Sequence, residues 1–236
     1  MPTPSVCQMV TKTAKSMTKK LHSVSNFAYE RAAWAQKSVV CGVDEAGCGC
    51  LAGPVVAAAV ILRPGAVIDG VKDSKLVPKE LLPELAHKII SQSWYGIGIS
   101  SPYLIDSCNI RGASLRAMGR ALGNLFAICP IIPSKVLVDA LPLGNFLGTL
   151  GPEFISAPKG EYWSYSIAAA SIVAKVKRDQ IMTAYGEIYP KLDFGKHKGY
   201  ATKAHQSNII DYGQSVVHRN TYLKKLFLKE HQCKLF

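Results

Sequence analysis

Residues 38–62 read Ser38-Val39-Val40-Cys41-Gly42-Val43-Asp44-Glu45-Ala46-Gly47-Cys48-Gly49-Cys50-Leu51-Ala52-Gly53-Pro54, followed by the unbroken apolar run Val55 to Leu62. The stretch Ser38 to Val43 is β-rich and ends in two acids. A glycine-rich loop follows, and Val55 to Leu62 is an apolar run of strand length after Gly53-Pro54. The two runs predict a hairpin whose loop carries Gly47, Cys48 and Gly49. Acids that close an apolar strand stand where burial is costly, so Asp44 and Glu45 are candidates for chemistry from the outset.

Working outward, Pro78 to Ile90 has helical spacing with proline near its start, and Trp94 to Ser100 reads as a strand. Gly112 to Ile128 places Leu115, Met118, Leu122 and Leu125 on one face. Val136 to Val138 is a short buried strand that runs into Asp139. Ser166 to Lys175 is dense in alanine and reads as a helix whose small face can lie close to a sheet, despite the β-branched Ile167, Ile172 and Val173. Strands interleaved with apolar helices make an α/β domain.

The chain has 236 residues with 48 % hydrophobic and 19 % charged, which belongs to a globular protein able to bury a core and excludes disordered and fibrous classes. Its longest apolar runs fall short of the ~18 residues that a membrane span requires, so a soluble protein without membrane association is expected. The net charge of +12 points to a polyanion, with nucleic acid first, because Lys and Arg that displace condensed counterions gain free energy; a solvated basic face is the plainer alternative. Half of that excess lies between Lys191 and Phe236. The first 25 residues hold Lys12, Lys15, Lys19 and Lys20 and no acid, lack a secretory core and read as a flexible basic arm. Residues 26–236 then form one domain, with about 201–236 a helical C-terminal part. Seven cysteines, an odd number in no zinc spacing, indicate reduced thiols in a cytoplasmic protein, and packing is favoured over a Cys48/Cys50 redox pair.

If the strands that end in Asp44 and Asp139 are neighbours, two carboxylates converge, and like charges so close need a proton or a cation between them. Carboxylate ligands favour hard ions such as Mg²⁺ or Mn²⁺, and such a site beside a basic surface suits phosphodiester chemistry. Either acid could instead cap a helix or turn, and spacing alone does not choose. Glycines after the acids let backbone N–H groups approach a sugar or phosphate, although turns commonly contain them.

The run Gly42-Val43-Asp44-Glu45-Ala46-Gly47-Cys48-Gly49 with Leu51-Ala52-Gly53-Pro54-Val55-Val56 closely resembles the opening motif of ribonuclease HII. Later blocks agree in order: Asp73-Ser74-Lys75-Leu76, Val138-Asp139, Lys159-Gly160-Glu161, Ser166 to Val176 with Arg178-Asp179, His197-Lys198-Gly199-Tyr200 and His218-Arg219. The resemblance spans about Ala28 to Tyr222. It implies a ribonuclease H-like fold, a central mixed β-sheet flanked by helices, in which Asp44, Glu45, Asp139 and Glu161 hold two divalent ions, Mn²⁺ or Mg²⁺. The family usually has Asp at the position of Glu161; Asp179 is the rival fourth ligand and is read as bracing the site.

By the same resemblance, Gly47, Cys48 and Gly49 contact the ribose 2′-hydroxyl at an RNA to DNA junction through their backbone. Cys48 stands where the family has Arg, which removes a guanidinium worth about 1.5 to 3 kcal/mol toward phosphate. Tyr200 matches a tyrosine that packs on the deoxyribose beside the junction, with an ordinary core or surface aromatic as the alternative. Lys75 matches a substrate-contacting lysine, and His197 is assigned no chemistry. The expected activity is metal-assisted hydrolysis on the 5′ side of ribonucleotides embedded in duplex DNA and within RNA–DNA hybrids, giving 3′-hydroxyl and 5′-phosphate ends, with roles in ribonucleotide and primer RNA removal, by a monomer. The competing readings are a non-catalytic nucleic-acid binder and the sister enzyme ribonuclease HIII, whose N-terminal domain is too large for the residues before the first strand. The segment Tyr222 to Lys229 has helical spacing and could clamp a duplex from outside the core.

Overall fold

A computed structural model describes residues 27–139, 141 and 151–224. In chain order these form α1 (Ala28–Ala35), β1 (Val40–Ala46), β2 (Val55–Leu62), α2 (Leu82–Ser91), β3 (Ser93–Ser100), α3 (Pro102–Ile128), β4 (Lys135–Asp139), β5 (Glu153–Ala157), α4 (Tyr165–Ile188), α5 (Phe194–His197) and α6 (Lys203–Tyr212). The five strands make one sheet in the order β3-β2-β1-β4-β5. β1 and β2 pair antiparallel as the expected hairpin, β2 pairs antiparallel with β3, and β4 runs parallel to β1 and to β5. The sheet is therefore mixed.

β2 is a continuous apolar run because both of its faces are covered. Val55, Ala57, Ala59 and Ile61 pack with Ala113, Ala117, Met118 and Leu122 of α3. Ala58, Val60 and Leu62 pack on the opposite face with Leu82, Leu85 and Ile89 of α2 and Ala168 to Ala170 of α4. Helices come close enough for this only where the sheet omits side chains. A Cβ on Gly42 would overlap the backbone of Ser166 at the start of α4, and one on Gly98 would overlap the Ala117 carbonyl of α3. Alanine-rich α4 is the other half of that contact, with Ile167 to Ala170 and Ile172 to Ala174 wholly buried.

Several boundaries differ from the sequence reading. The helix expected from Gly112 begins at Pro102, capped by the Ser101 hydroxyl, which accepts from the Leu104 amide at 3.3 Å. It is interrupted at Asn109, in positive φ, whose side chain accepts from the Gly112 amide at 3.1 Å and restarts the helix. α4 runs to Ile188, well past Lys175, and α2 starts at Leu82, a turn after Pro78. β5 and α1 lacked a periodic apolar signal. The N-terminal arm and most of the Tyr222 to Lys229 segment lie outside the described residues; residues 220–224 are helical. Among the described residues no helix is long and apolar enough to cross a membrane.

Candidate active site

Parallel pairing of β1 and β4 sets Val43 opposite Val138, so the residues that follow, Asp44 and Asp139, stand side by side at the C-terminal ends of neighbouring strands. The sequence reading required these strands to be neighbours. Burial pushes the Asp44 carboxyl well above the usual carboxylate range, and the charges of Glu45 and Asp139 push it further. Glu45 is raised as well, by burial first and by Asp139, while a hydrogen bond from Cys48 opposes the shift. The Asp44 Oδ1 accepts the Glu45 amide at 2.7 Å, which fixes one carboxylate oxygen. Lys75 exerts an opposing positive field on both acids from a short 3₁₀ turn, Ser74–Leu76. That turn is capped by Asp73 and anchored to α4 by the Ser74 amide donating to Ser171 Oγ at 3.2 Å. The Lys75 side chain is 81 % exposed, with its ammonium 4.0 Å from Asp73, so it is open to solvent on the acids' side of the molecule.

Asp139 Oδ1 accepts the Gly160 amide at 2.9 Å. This bond ties the end of β4 to the 3₁₀ turn Gly160–Tyr162, which Lys159 enters in the left-handed region, and so brings the backbone of Glu161 to the same sheet edge. The Glu161 side chain lies outside the described residues. Among the described residues no three His, Cys, Asp or Glu side chains close into a metal cage by themselves. Asp44, Glu45 and Asp139 are the carboxylates that the strand ends bring to this edge, and a cage for a hard cation needs a further donor from the turn that bears Glu161. Asp179 lies on α4 and pairs with Lys175 at 2.8 Å.

The glycine loop leaves β1 directly beneath the acids. Gly47 has φ of +99°, a conformation that favours glycine. Cys48 turns its side chain inward, donating to Glu45 Oε1 at 3.2 Å and lying 3.4 Å from Ser114 Oγ of α3. Burial, with the Glu45 charge next, pushes the thiol up to about 12, so it is protonated at neutral pH and available as a donor. Gly49 is exposed.

Tyr200 is 41 % exposed, with Lys175 Nζ 5.2 Å from its ring centroid. Its ring forms part of a groove of about 900 Å³ that Lys79, Lys175, Lys196 and Lys198 also line. His197 donates through Nε2 to the Leu192 carbonyl at 2.8 Å and accepts the Gly199 amide at Nδ1, a role in holding its turn. Arg178 and Arg219, both present in the recognised motifs, lie beneath the glycine loop. Ser114 had no sequence signal, since nothing in α3 distinguishes it from a solvent-side serine until β1 is packed against it. Cys41, Cys48, Cys50, Cys108 and Cys129 are free thiols.

The comparisons with known proteins agree with this arrangement. The family model Ribonuclease HII matches residues 41–229, from β1 through the C-terminal part. Ribonuclease HII of Orientia tsutsugamushi (strain Boryong) is 46 % identical over 184 residues, covering 78 % of this chain and 85 % of that protein. Ribonuclease HII of Lactobacillus helveticus (strain DPC 4571) is 42 % identical over 212 residues, covering 89 % and 81 %. Among solved structures, the RNase HII of the PCNA:RNase HII complex from Archaeoglobus fulgidus superimposes with a TM-score of 0.63 at 25 % identity, covering 77 % of this chain and 94 % of that one. Bst-RNase HIII, solved in complex with Mn²⁺, shares the fold, with a TM-score of 0.64 at 22 % identity over 78 % of this chain and 67 % of that one. The acids gathered where β1 and β4 end, the glycine loop beside them and the family match across both make this chain a member of the ribonuclease HII family of endonucleolytic hydrolases.

Proposed function

We propose that this protein hydrolyses the RNA strand of RNA–DNA hybrids and cuts on the 5′ side of ribonucleotides embedded in duplex DNA, leaving 3′-hydroxyl and 5′-phosphate ends. The observation that carries the reading is the β1/β4 register, which puts Asp44 and Asp139 side by side. The donor set suits a divalent cation in type: hard carboxylate oxygens, crowded enough to raise the affinity of Asp44 and Glu45 for positive charge. Asp44, Glu45 and Asp139, with Glu161, would hold Mg²⁺ or Mn²⁺, two ions in the full site. Such ions, when bound, lower the pKa of an attacking water and stabilise charge on the departing 3′-oxygen.

The chain's own groups do the rest. Lys75 offers an exposed ammonium to a phosphate beside the acids. The amides of the Gly47 to Gly49 loop supply donors to the sugar, and the half-exposed Tyr200 ring supplies a flat face for the deoxyribose that follows the junction. The +12 charge draws in the duplex and makes binding salt-sensitive. In a cell, this chemistry serves removal of misincorporated ribonucleotides and RNA primers. The test is a labelled duplex with one ribonucleotide, incubated with Mg²⁺ or Mn²⁺ and mapped at single-nucleotide resolution. A metal-dependent cut immediately 5′ of the ribonucleotide is expected; binding without cleavage in either metal would overturn the reading.

A further inference from the structure

Arg178 and Arg219 are both 0 % exposed, and neither takes part in the function above. A guanidinium is tolerated inside a protein only when its N–H groups find acceptors, and these two find backbone carbonyls. Arg219 donates from Nη2 to the carbonyls of Gly47 at 2.7 Å and Gly53 at 2.9 Å, from Nη1 to that of Cys48 at 2.8 Å, and from Nε to that of Gly53 at 3.0 Å. Arg178 donates to the carbonyls of Pro54 and Ala52 at 3.1 Å each and of Lys198 at 2.9 Å. Two rigid forks thus grip both ends of the glycine loop.

The Gly47 and Cys48 carbonyls share their peptide planes with the Cys48 and Gly49 amides, so turning those carbonyls inward leaves these two amides outward. The amides of Leu51 and Gly53 are engaged by the carbonyls of Gly199 and Val217, at 2.8 Å each. Those of Gly47, Cys48 and Gly49 have no protein acceptor among the described residues. A Cβ on Gly47 would overlap the Arg178 guanidinium, so Arg178 can lie there only because residue 47 is glycine.

We propose that Arg219, supported by Arg178, is a positioning residue for substrate selection: it locks the loop so that the Cys48 and Gly49 amides face the ribose 2′-hydroxyl and its phosphate as preformed donors. The inference deepens the proposed function and rests on it. Lysine in place of Arg219 keeps the charge but cannot span the carbonyls of Gly47, Cys48 and Gly53 together.

The test compares Arg219→Lys and Arg178→Lys with the natural protein on a duplex carrying one ribonucleotide, at a temperature where circular dichroism shows each variant folded. Loss of a contact made equally in ground and transition states raises KM about tenfold and leaves kcat within about twofold. An unchanged KM alongside a lowered melting temperature would overturn the proposal, because it would make the arginines purely structural. If the natural protein cuts nothing, the proposed function fails and the positioning claim is read from ¹⁵N NMR instead. Amide shifts of Cys48 and Gly49 that respond to the ribonucleotide duplex in the natural protein and not in Arg219→Lys support it; identical responses overturn it.

Discussion

Gly42 of β1 and Ser166 of α4 meet backbone to backbone, with no room for a side chain between them. The contact sets how closely α4 lies on the strand that bears Asp44 and Glu45. Gly42→Ala therefore has to push the helix away or bend the strand. Overpacking at a site bounded by backbone on both sides is expected to cost about 3 kcal/mol or more, read as a fall in the urea midpoint at unchanged slope.

Asp139→Asn removes the charge of a proposed ligand and little volume, and keeps an oxygen able to accept the Gly160 amide. Metal-dependent cleavage is expected to fall by at least about a hundredfold while duplex binding stays within about threefold. Steady-state cleavage and fluorescence anisotropy read the two effects; full activity in both Mg²⁺ and Mn²⁺ would remove Asp139 from the site.

Cys48 now has a task that its place in the motif did not suggest. Its thiol donates to Glu45 Oε1, so Cys48→Ala removes a side-chain donor that helps to hold this carboxylate. One neutral hydrogen bond corresponds to about a fivefold loss, expected in kcat, with Cys48→Ser retaining most activity. Equal kcat values for the alanine variant and the natural protein would show that Glu45 does not depend on the thiol.

Glu30 of α1 is wholly buried and accepts from the Ser164 hydroxyl at 2.9 Å and the Ser166 amide at 2.8 Å at the N-terminus of α4. The carboxyl satisfies a helix-end amide that would otherwise lack a partner. Glu30→Ala is expected to destabilise the fold by about 2 to 3 kcal/mol, measured by chemical denaturation. A loss below about 0.5 kcal/mol would mean that water replaces the carboxylate without penalty.

The histidines His197, His205 and His218 make acid the weak side of this fold. His205 donates through Nδ1 to the Tyr200 carbonyl at 2.8 Å, and its Nε2 lies 3.2 Å from His218 Nε2. His218 Nδ1 accepts the Ser215 amide at 2.9 Å, so its neutral Nε2–H tautomer donates to His205. Burial, then the fields of His197 and His218, pulls His205 down to about 4. Its folded value lies below its unfolded one, so the unfolded chain binds the proton first. Stability is complete above pH ~6.5 and declines as pH falls toward about 4, by on the order of 2 kcal/mol. Denaturation midpoints between pH 7.5 and 4.5 should show this slope and a shallower one in His205→Asn.

Much of the site was legible before any coordinates. The run from Val39 to Glu45 declares an apolar strand ending in acids, and Val55 to Leu62 declares its partner, because burial on two faces leaves an uninterrupted apolar signal. The motif order carried the family. By contrast, Phe154-Ile155 is too short an apolar signal to announce β5, and the apolar spacing of α3 emerges only after Asn109 has broken and restarted the helix.

What the sequence alone determined is which chemistry is present: strand-end acids, a glycine loop and an excess of positive charge, all properties of local order along the chain. Which groups face one another was decided by tertiary structure. Parallel pairing of β1 with β4 joins Asp44 to Asp139 across a separation of many residues, and packing of α3 and the C-terminal part beneath the loop sets Ser114 against Cys48 and Arg219 under Gly47. Such partners are chosen by burial and backbone hydrogen bonding over the whole sheet, and no periodicity along one segment records them.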